Sequence, residues 1–254
     1  MPNFSDALQQ SLVTTAREAA AIIMRFYETD LVVDKKEDKS PVTEADRAAN
    51  DHIMARLKAL TPDIPVIAEE DADSHFLNVA GAPYFWLVDP LDGTKSFIKR
   101  TDEFTVNIGL ISNGIPNWGV IVIPAIGVAY WTQNGKVFRQ RGEAKSETIQ
   151  VRKPPRAGLT VVASQSHYTP ETDQYLSGYQ VGEFIKANSS LKFCRVAEGL
   201  ADLYPRFGPT MEWDTAAGDA LLRTAGGRVE HPDGTPFTYG KPGFRNGNFV
   251  AYGF

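Results

Sequence analysis

Apolar residues recur at three- and four-residue steps through Leu8, Leu12, Ala16, Ala19, Ile23 and Phe26. That period predicts an amphipathic helix over residues 5–27, with Ser5 or Asp6 as its cap. Leu31-Val32-Val33 predicts a short strand running into a solvated, charged loop over 34–39. A second helix is predicted from about Ser40 to Leu60. Its N-cap is Thr43 with Asp46 three residues on, its buried face is Ala49, Ile53, Leu57 and Leu60, and Thr61-Pro62 ends it. Strands are predicted at 64–68 and 84–88, and both run straight into acids: Glu69-Glu70-Asp71 after the first, Asp89-Pro90-Leu91-Asp92 after the second. Pro90 is expected to stop the second strand. Strands at 105–111, 118–123, 128–132 and 136–139, with turns at 114–117, 124–127 and 133–135, read as an antiparallel meander.

The pattern changes at Arg152-Lys-Pro-Pro-Arg156. This predicts a crossing into a second half. The second half has strands at 159–163, 182–185, 201–204, 228–230 and 249–252 and helices at 171–179, 189–197 and 212–225, the last stopped by Gly226-Gly227. The expected division is an N-terminal α+β half over 1–150 and a smaller α/β half over 151–254.

Composition narrows the function classes. The 254 residues suffice for a large core, and 43% hydrophobic with 22% charged residues is ordinary for a soluble globular chain. A formal charge of −5 argues against a duplex nucleic-acid binder but leaves room for a small phosphorylated substrate held by local cations or a metal. The single cysteine, Cys194, excludes an intrachain disulfide and reads as a packed thiol in a cytoplasmic protein. No signal peptide and no run of about 18 apolar residues that could span a bilayer is visible. Peripheral attachment to the inner membrane is left open, as are monomer and homodimer.

Asp89 and Asp92 flank the expected strand stop, and Gly93-Thr94 follow at once. Such a run serves equally as a chain reversal or as an oxygen cage for a hard cation with backbone N–H groups beside it. If the 64–68 and 84–88 strands are neighbours, Glu69, Asp89 and Asp92 converge, and such crowding calls for a cation. The four histidines, His52, His75, His167 and His231, show no zinc-ligand spacing.

Four pieces then need one account: Thr43-Glu-Ala-Asp46, Ala68-Glu-Glu70, Asp89-Pro-Leu-Asp-Gly-Thr94 and Glu212-Trp-Asp-Thr-Ala-Ala-Gly218. Each alone reads as capping or solvated charge. In this order and spacing they resemble the lithium-sensitive, magnesium-dependent phosphatases of the inositol monophosphatase superfamily, over nearly the whole chain. The resemblance implies a layered αβαβα sandwich with the site between the halves. It also implies two or three Mg²⁺ ions held by Glu69, Asp89, the Leu91 carbonyl, Asp92 and Asp214. Thr94 with Asp46 would hold and deprotonate the attacking water, Glu70 would support a further metal or its water shell, and Gly93 and Thr94 would offer backbone N–H groups to the phosphate.

The wording Phe85-Trp-Leu-Val-Asp-Pro-Leu-Asp-Gly-Thr-Lys-Ser-Phe-Ile-Lys99, with Glu103-Phe-Thr-Val-Asn-Ile108, Ser164-Gln-Ser-His167 and Ser189-Ser-Leu-Lys-Phe-Cys194, is similar to the bacterial 3'(2'),5'-bisphosphate nucleotidases within that superfamily. This implies removal of the 3'-phosphate from adenosine 3',5'-bisphosphate, with 3'-phosphoadenylyl sulfate as a second substrate and a place in sulfur assimilation. Ser189, Lys192 and Arg206 match the family's contacts to the nucleotide and its second phosphate. The rivals are an inositol-phosphate or sugar-phosphate phosphatase on the same fold and a non-catalytic regulatory binder. Asn188 and Ala68 depart from the family's usual glycine or small residue. Asp219, five residues past Asp214 on one helix, is expected off the metal face.

Overall fold

The computed structural model describes residues 4–29, 33–35, 41–164 and 168–254. Leu31-Val32, most of the charged loop, Ser40 and the segment Gln165–His167 lie outside them. Helix α1 (Asp6–Tyr27) starts where Ser5 Oγ accepts the Leu8 N–H at 3.2 Å. Strands β1 (Val33–Lys35) and β2 (Pro41–Thr43) pair as a small antiparallel ribbon that leads into α2 (Glu44–Leu60).

The first large sheet has seven strands: β3 (Val66–Ala68), β4 (Tyr84–Asp92), β5 (Thr105–Ser112), β6 (Ile115–Ile123), β7 (Val128–Gln133), β8 (Lys136–Arg141) and β9 (Glu147–Ile149). They lie in sequence order, and all neighbours are antiparallel except β3 and β4, which are parallel. The meander is therefore as expected. β4 reads as an unbroken apolar run because both faces are buried: Phe85 and Leu87 join one core cluster, Trp86 and Val88 another.

Several boundaries differ from expectation, beginning with residues 41–43, which form β2 and not the first turn of α2. β4 does not stop at Pro90. Asp89 pairs with Asn107 and Asp92 with Thr105, so Pro90 and Leu91 face the single residue Val106 in a bulge. A bulge residue owes the ladder no N–H, which is why proline fits there. The hairpin after β5 is the two-residue turn Asn113-Gly114, with φ of 50° and 77°, and not 114–117. Pro116 sits inside β6 beside a register shift between Leu110 and Ile111. β9 was not expected, because an exposed edge strand has no apolar alternation to show.

The second sheet has five strands, β10 (Leu159–Ser164), β11 (Val181–Ala187), β12 (Leu203–Arg206), β13 (Arg228–Glu230) and β14 (Phe249–Tyr252), in the order β11-β10-β12-β14-β13. β12 begins two residues later than expected. Just before it, Asp202 N donates to Thr160 O and the Asp202 carboxylate accepts from Thr160 N, both at 2.7 Å. The helices are α3 (Thr94–Ile98), which was not expected, α4 (Pro170–Leu176), α5 (Leu191–Ala197) and α6 (Glu212–Thr224). α4 ends three residues before the expected 179.

The layers follow from the contacts. α1 and α2 cover one face of the first sheet, and α5 and α6 lie between the two sheets. Leu176 of α4 packs with Val161, Leu203 and Val250 on the outer face of the second sheet. The result is the expected αβαβα sandwich. Its central core joins the halves: Phe85, Leu87 and Ile121 cluster with Phe193, Trp213, Leu221 and Phe249. α6 can approach the first sheet closely because Gly109 of β5 faces Gly119 of β6. A Cβ on Gly119 would stand 2.6 Å from the Ala217 carbonyl oxygen. No described helix is long and apolar enough to cross a membrane.

Candidate active site

The parallel pairing of β3 and β4 brings their acidic ends together. Ala68 lies opposite Val88, and Glu69 N donates to Val88 O at 3.0 Å, so Glu69 and Asp89 come next on adjacent strands. The bulge then shapes the Asp89–Asp92 stretch. Asp89 is buried, and its Oδ1 accepts the Leu91 N–H at 3.0 Å, which holds the bulge as an Asx turn. Leu91 sends its side chain into the core and still lines the cleft. From the other half, Asp214 stands in the first turn of α6 and accepts the Met211 N–H at 2.8 Å.

Glu69, Asp89 and Asp214 thus offer carboxylate oxygens all within 4.8 Å of one another. Burial, and then the neighbouring Asp92 and Glu69 carboxylates, hold the Asp214 pKa well above the ordinary carboxylate range. Burial raises Asp92 as well, against the pull of Lys192 and of the Ser190 hydroxyl. The donor set is hard oxygen throughout, and its mutual repulsion is what a divalent cation removes. The residues fit a hard metal ion.

Thr94 opens α3 beside this cluster. Its Oγ1 lies 3.3 Å from Asp46 Oδ1 and 3.4 Å from the Leu91 carbonyl. Asp46 is buried in the first turn of α2, and its other oxygen accepts both the N–H and the hydroxyl of Thr43, at 2.7 and 2.6 Å. The expected cap of α2 thus also anchors the acid that reaches Thr94. Gly93 has φ 92° and ψ 37°, and a Cβ there would meet Glu103 O at 3.0 Å, so both conformation and space require glycine.

A cleft of about 430 Å³ opens over these groups. Of the residues expected to act, Glu69, Asp89, Leu91, Asp92, Gly93, Thr94, Ser189, Lys192, Arg206 and Asp214 line it. Asp46 is not in the lining and reaches the cleft through Thr94, and half-buried Glu70 lies in the turn beyond Glu69. Lys192 and Arg206 are not solvated charges: they are 4% and 7% exposed. Lys192 Nζ donates to Ser189 O at 2.6 Å, and burial lowers its ammonium to about 8 against the pull of Asp92. Arg206 donates to Pro209 O at 2.9 Å.

The sequence reading passed over several groups here. Ser189 has φ 48°, an uncommon conformation for a residue with a side chain. Glu103 holds that turn: its carboxylate accepts from Asn188 N and Nδ2 at 3.2 and 2.7 Å, and its carbonyl from Ser189 Oγ at 3.2 Å. Asn188, a departure from the family wording, is therefore a clasp. Ser190 Oγ lies 3.0 Å from Asp92 Oδ2. Lys95 and Tyr204 also line the cleft. The available signal was Asn107, a lone amide in an apolar strand, which is fully buried and donates to Ser190.

Asp219 misses the cleft, as expected. It is buried and bound to Arg223 at 2.6 Å and to the Tyr239 hydroxyl at 3.0 Å. Burial raises it from 3.8 to about 6, against the opposing pull of Arg223. Between those values the folded chain holds a proton that the unfolded chain has lost. This contribution to stability is therefore complete below 3.8 and is lost as pH rises through about 6. Denaturant midpoints of wild type and Asp219→Asn should diverge across that window, with the wild type showing the steeper fall. Parallel curves would contradict the assignment.

Comparison with known proteins places the whole chain in one family. Residues 5–252 match the model of the inositol monophosphatase family. The 3'(2'),5'-bisphosphate nucleotidase CysQ of Escherichia coli O6:H1 is 47% identical over 240 residues, covering 91% of this chain and 95% of that protein. The CysQ of Buchnera aphidicola is 40% identical, covering 93% and 90%. Among solved structures, CysQ from Bacteroides thetaiotaomicron, a bacterial member of the inositol monophosphatase family, superposes with a TM-score of 0.84 at 36% identity, covering 98% of each chain. A Thermotoga maritima IMPase has the same fold, with a TM-score of 0.76 at 24% identity and coverage of 98% and 92%. The chain belongs to the inositol monophosphatase family.

Proposed function

We propose that this protein is a Mg²⁺-dependent 3'(2'),5'-bisphosphate nucleotidase that hydrolyses adenosine 3',5'-bisphosphate to AMP and phosphate. The observation that carries this reading is one cleft with two chemistries. The carboxylates of Glu69, Asp89 and Asp214 gather within 4.8 Å beside the Thr94–Asp46 pair, and the buried cations Lys192 and Arg206 line the same cleft. A substrate with two phosphates needs both. One phosphate goes to the acidic side to be cut, and the other is recognised by cations away from it. The names of the 40–47% identical relatives support the same substrate class.

In this reading Glu69, Asp89, the Leu91 carbonyl, Asp92 and Asp214 hold two or three Mg²⁺ ions. Bound there, the ions supply a water of lowered pKa and neutralise the charge on the phosphate and the leaving oxygen. Glu70 supports a further ion or its hydration. Thr94 accepts the water's proton as its own passes to Asp46 Oδ1, which lies 3.3 Å from the Thr94 hydroxyl. The Gly93 and Thr94 N–H groups face the scissile phosphate. The water oxygen bonds to phosphorus, the P–O3' bond breaks with its electron pair going to oxygen, and the nucleoside alkoxide takes a proton from solvent water to become the 3'-hydroxyl. No covalent phosphoenzyme is needed. Residues 1–150 supply most of the metal ligands, and residues 151–254 supply Asp214 and the nucleotide contacts.

Phosphate release from adenosine 3',5'-bisphosphate, 3'-phosphoadenylyl sulfate and inositol 1-phosphate, each with and without Mg²⁺ and Li⁺, tests the proposal. The bisphosphorylated nucleotide should have the highest kcat/KM, Mg²⁺ should be required, and Li⁺ should inhibit. Faster turnover of inositol 1-phosphate would overturn the substrate assignment and leave the metal assignment standing.

A further inference from the structure

One neutral hydroxyl ties the two sides of the acidic cluster together from behind. Ser190 stands at the start of α5 and is 2% exposed. Its Oγ lies 3.0 Å from Asp92 Oδ2 and 2.8 Å from the Asp214 carbonyl oxygen. Asp92 belongs to the first sheet and Asp214 to α6, so this hydroxyl is shared between groups far apart in sequence. The Asn107 amide donates to the same oxygen at 2.9 Å, from a fully buried position on β5 opposite Asp89.

A hydroxyl has one hydrogen and two lone pairs. The Asn107 N–H occupies one lone pair, so the Ser190 hydrogen cannot turn that way. It is left to the Asp92 carboxylate and the Asp214 carbonyl. Asn107 makes an expensive packing residue: its Oδ1 has no hydrogen-bond partner among the described residues. An unpaired buried acceptor works against folding, and an apolar side chain would pack there without that cost. The strained turn before Ser190, held by Glu103 through Asn188 and Ser189, delivers the hydroxyl to its place.

We infer that Ser190, oriented by Asn107, is a positioning residue that fixes the Asp92 carboxylate against Asp214 so that the two can share a cation. This rests on the reading of Asp92 and Asp214 as metal ligands. Ser190 shares its one hydrogen between Asp92 Oδ2 and the Asp214 carbonyl, which restrains the Asp92 carboxylate, so less ordering remains to be done when the ion arrives.

The test uses the full chain and two readouts: calorimetric titration with Mg²⁺ in the absence of substrate, and kcat and KM across a Mg²⁺ series. Ser190→Ala should weaken Mg²⁺ binding by about 10- to 100-fold, the size usual for groups that orient metal ligands. Its turnover at low Mg²⁺ should fall and recover as Mg²⁺ approaches saturation, with the nucleotide KM at saturation unchanged. Asn107→Val keeps the hydroxyl but frees its rotation and should give a smaller loss of the same kind. The double variant should be no weaker than Ser190→Ala, because the two act as one unit. Ser190→Thr, which restores a hydroxyl, should recover most of the affinity. Asn107→Val and Ser190→Thr keep the test decisive if Ser190→Ala folds poorly. Wild-type Mg²⁺ affinity in Ser190→Ala, or losses that simply add in the double variant, would overturn the inference while leaving the metal site intact. Undiminished turnover in Asp92→Asn would instead remove the ligand assignment and the inference with it.

Discussion

Asp92→Asn should release phosphate at about a thousandth of the wild-type rate or less, with the metal-free protein melting within a few degrees of wild type. The rate follows from what the carboxylate does. A metal-assisted displacement draws several kcal/mol of charge stabilisation from its ions, and each 1.36 kcal/mol is a factor of ten. A neutral amide presents one oxygen of low charge where the ion needs a carboxylate. The stability follows from two opposed terms. Burial disfavours the Asp92 charge and Glu69 repels it, so neutralising it relieves the fold. The same substitution removes the charge that Lys192 faces and leaves that buried ammonium less well compensated. Melting curves with and without Mg²⁺ separate the roles. Wild type should gain stability with added ion, because only the folded chain gathers the ligands, and the variant should gain less. Turnover at the wild-type rate would show that Asp92 is not a ligand.

How much of this could be read from the chain depends on how local each cause is. The acidic ends of β3 and β4 could be placed together because an apolar run followed by acids is a local pattern, and parallel pairing needed only the two runs to be neighbours. The capping of α2 by Thr43 and Asp46 was equally local. The bulge was not. Pro90 signals that a ladder bond is missing, but only the pairing of Asp89 with Asn107 and Asp92 with Thr105 shows that the strand resumes. Pro116 misled in the same way, since the chain had already turned at Asn113-Gly114. Ser190 and Glu103 were silent because they act on partners distant in sequence, Asp92 and Asn107 for the first and Asn188 for the second, each more than eighty residues away. The family resemblance supplied roles for Ser189, Lys192 and Arg206, and the structure places all three at one cleft with the acids.

Gly119→Val should lower the melting temperature by about 2–12 °C, and Gly119→Ala by less. The reason lies in how α6 meets the first sheet. Gly119 and Gly109 face each other on β6 and β5 and leave a trough in which Ala216 and Ala217 rest. A Cβ at 119 would stand 2.6 Å from the Ala217 carbonyl oxygen and 3.0 Å from its Cα. Both are backbone atoms, so no side chain can rotate away and the whole helix must lift. Overpacking of this kind costs about 1–3 kcal/mol or more, and each kcal/mol is worth roughly 2–4 °C in a chain of this size. The displacement has a second consequence. Asp214 sits in the first turn of the same helix, so lifting α6 from the sheet moves one carboxylate away from Glu69 and Asp89. Gly119→Val should therefore lose Mg²⁺ affinity along with stability, although residue 119 carries no metal-binding group. A variant that melts early but binds Mg²⁺ like wild type would show that Asp214 is held by its own loop, through Met211 N, and not by the seating of the helix.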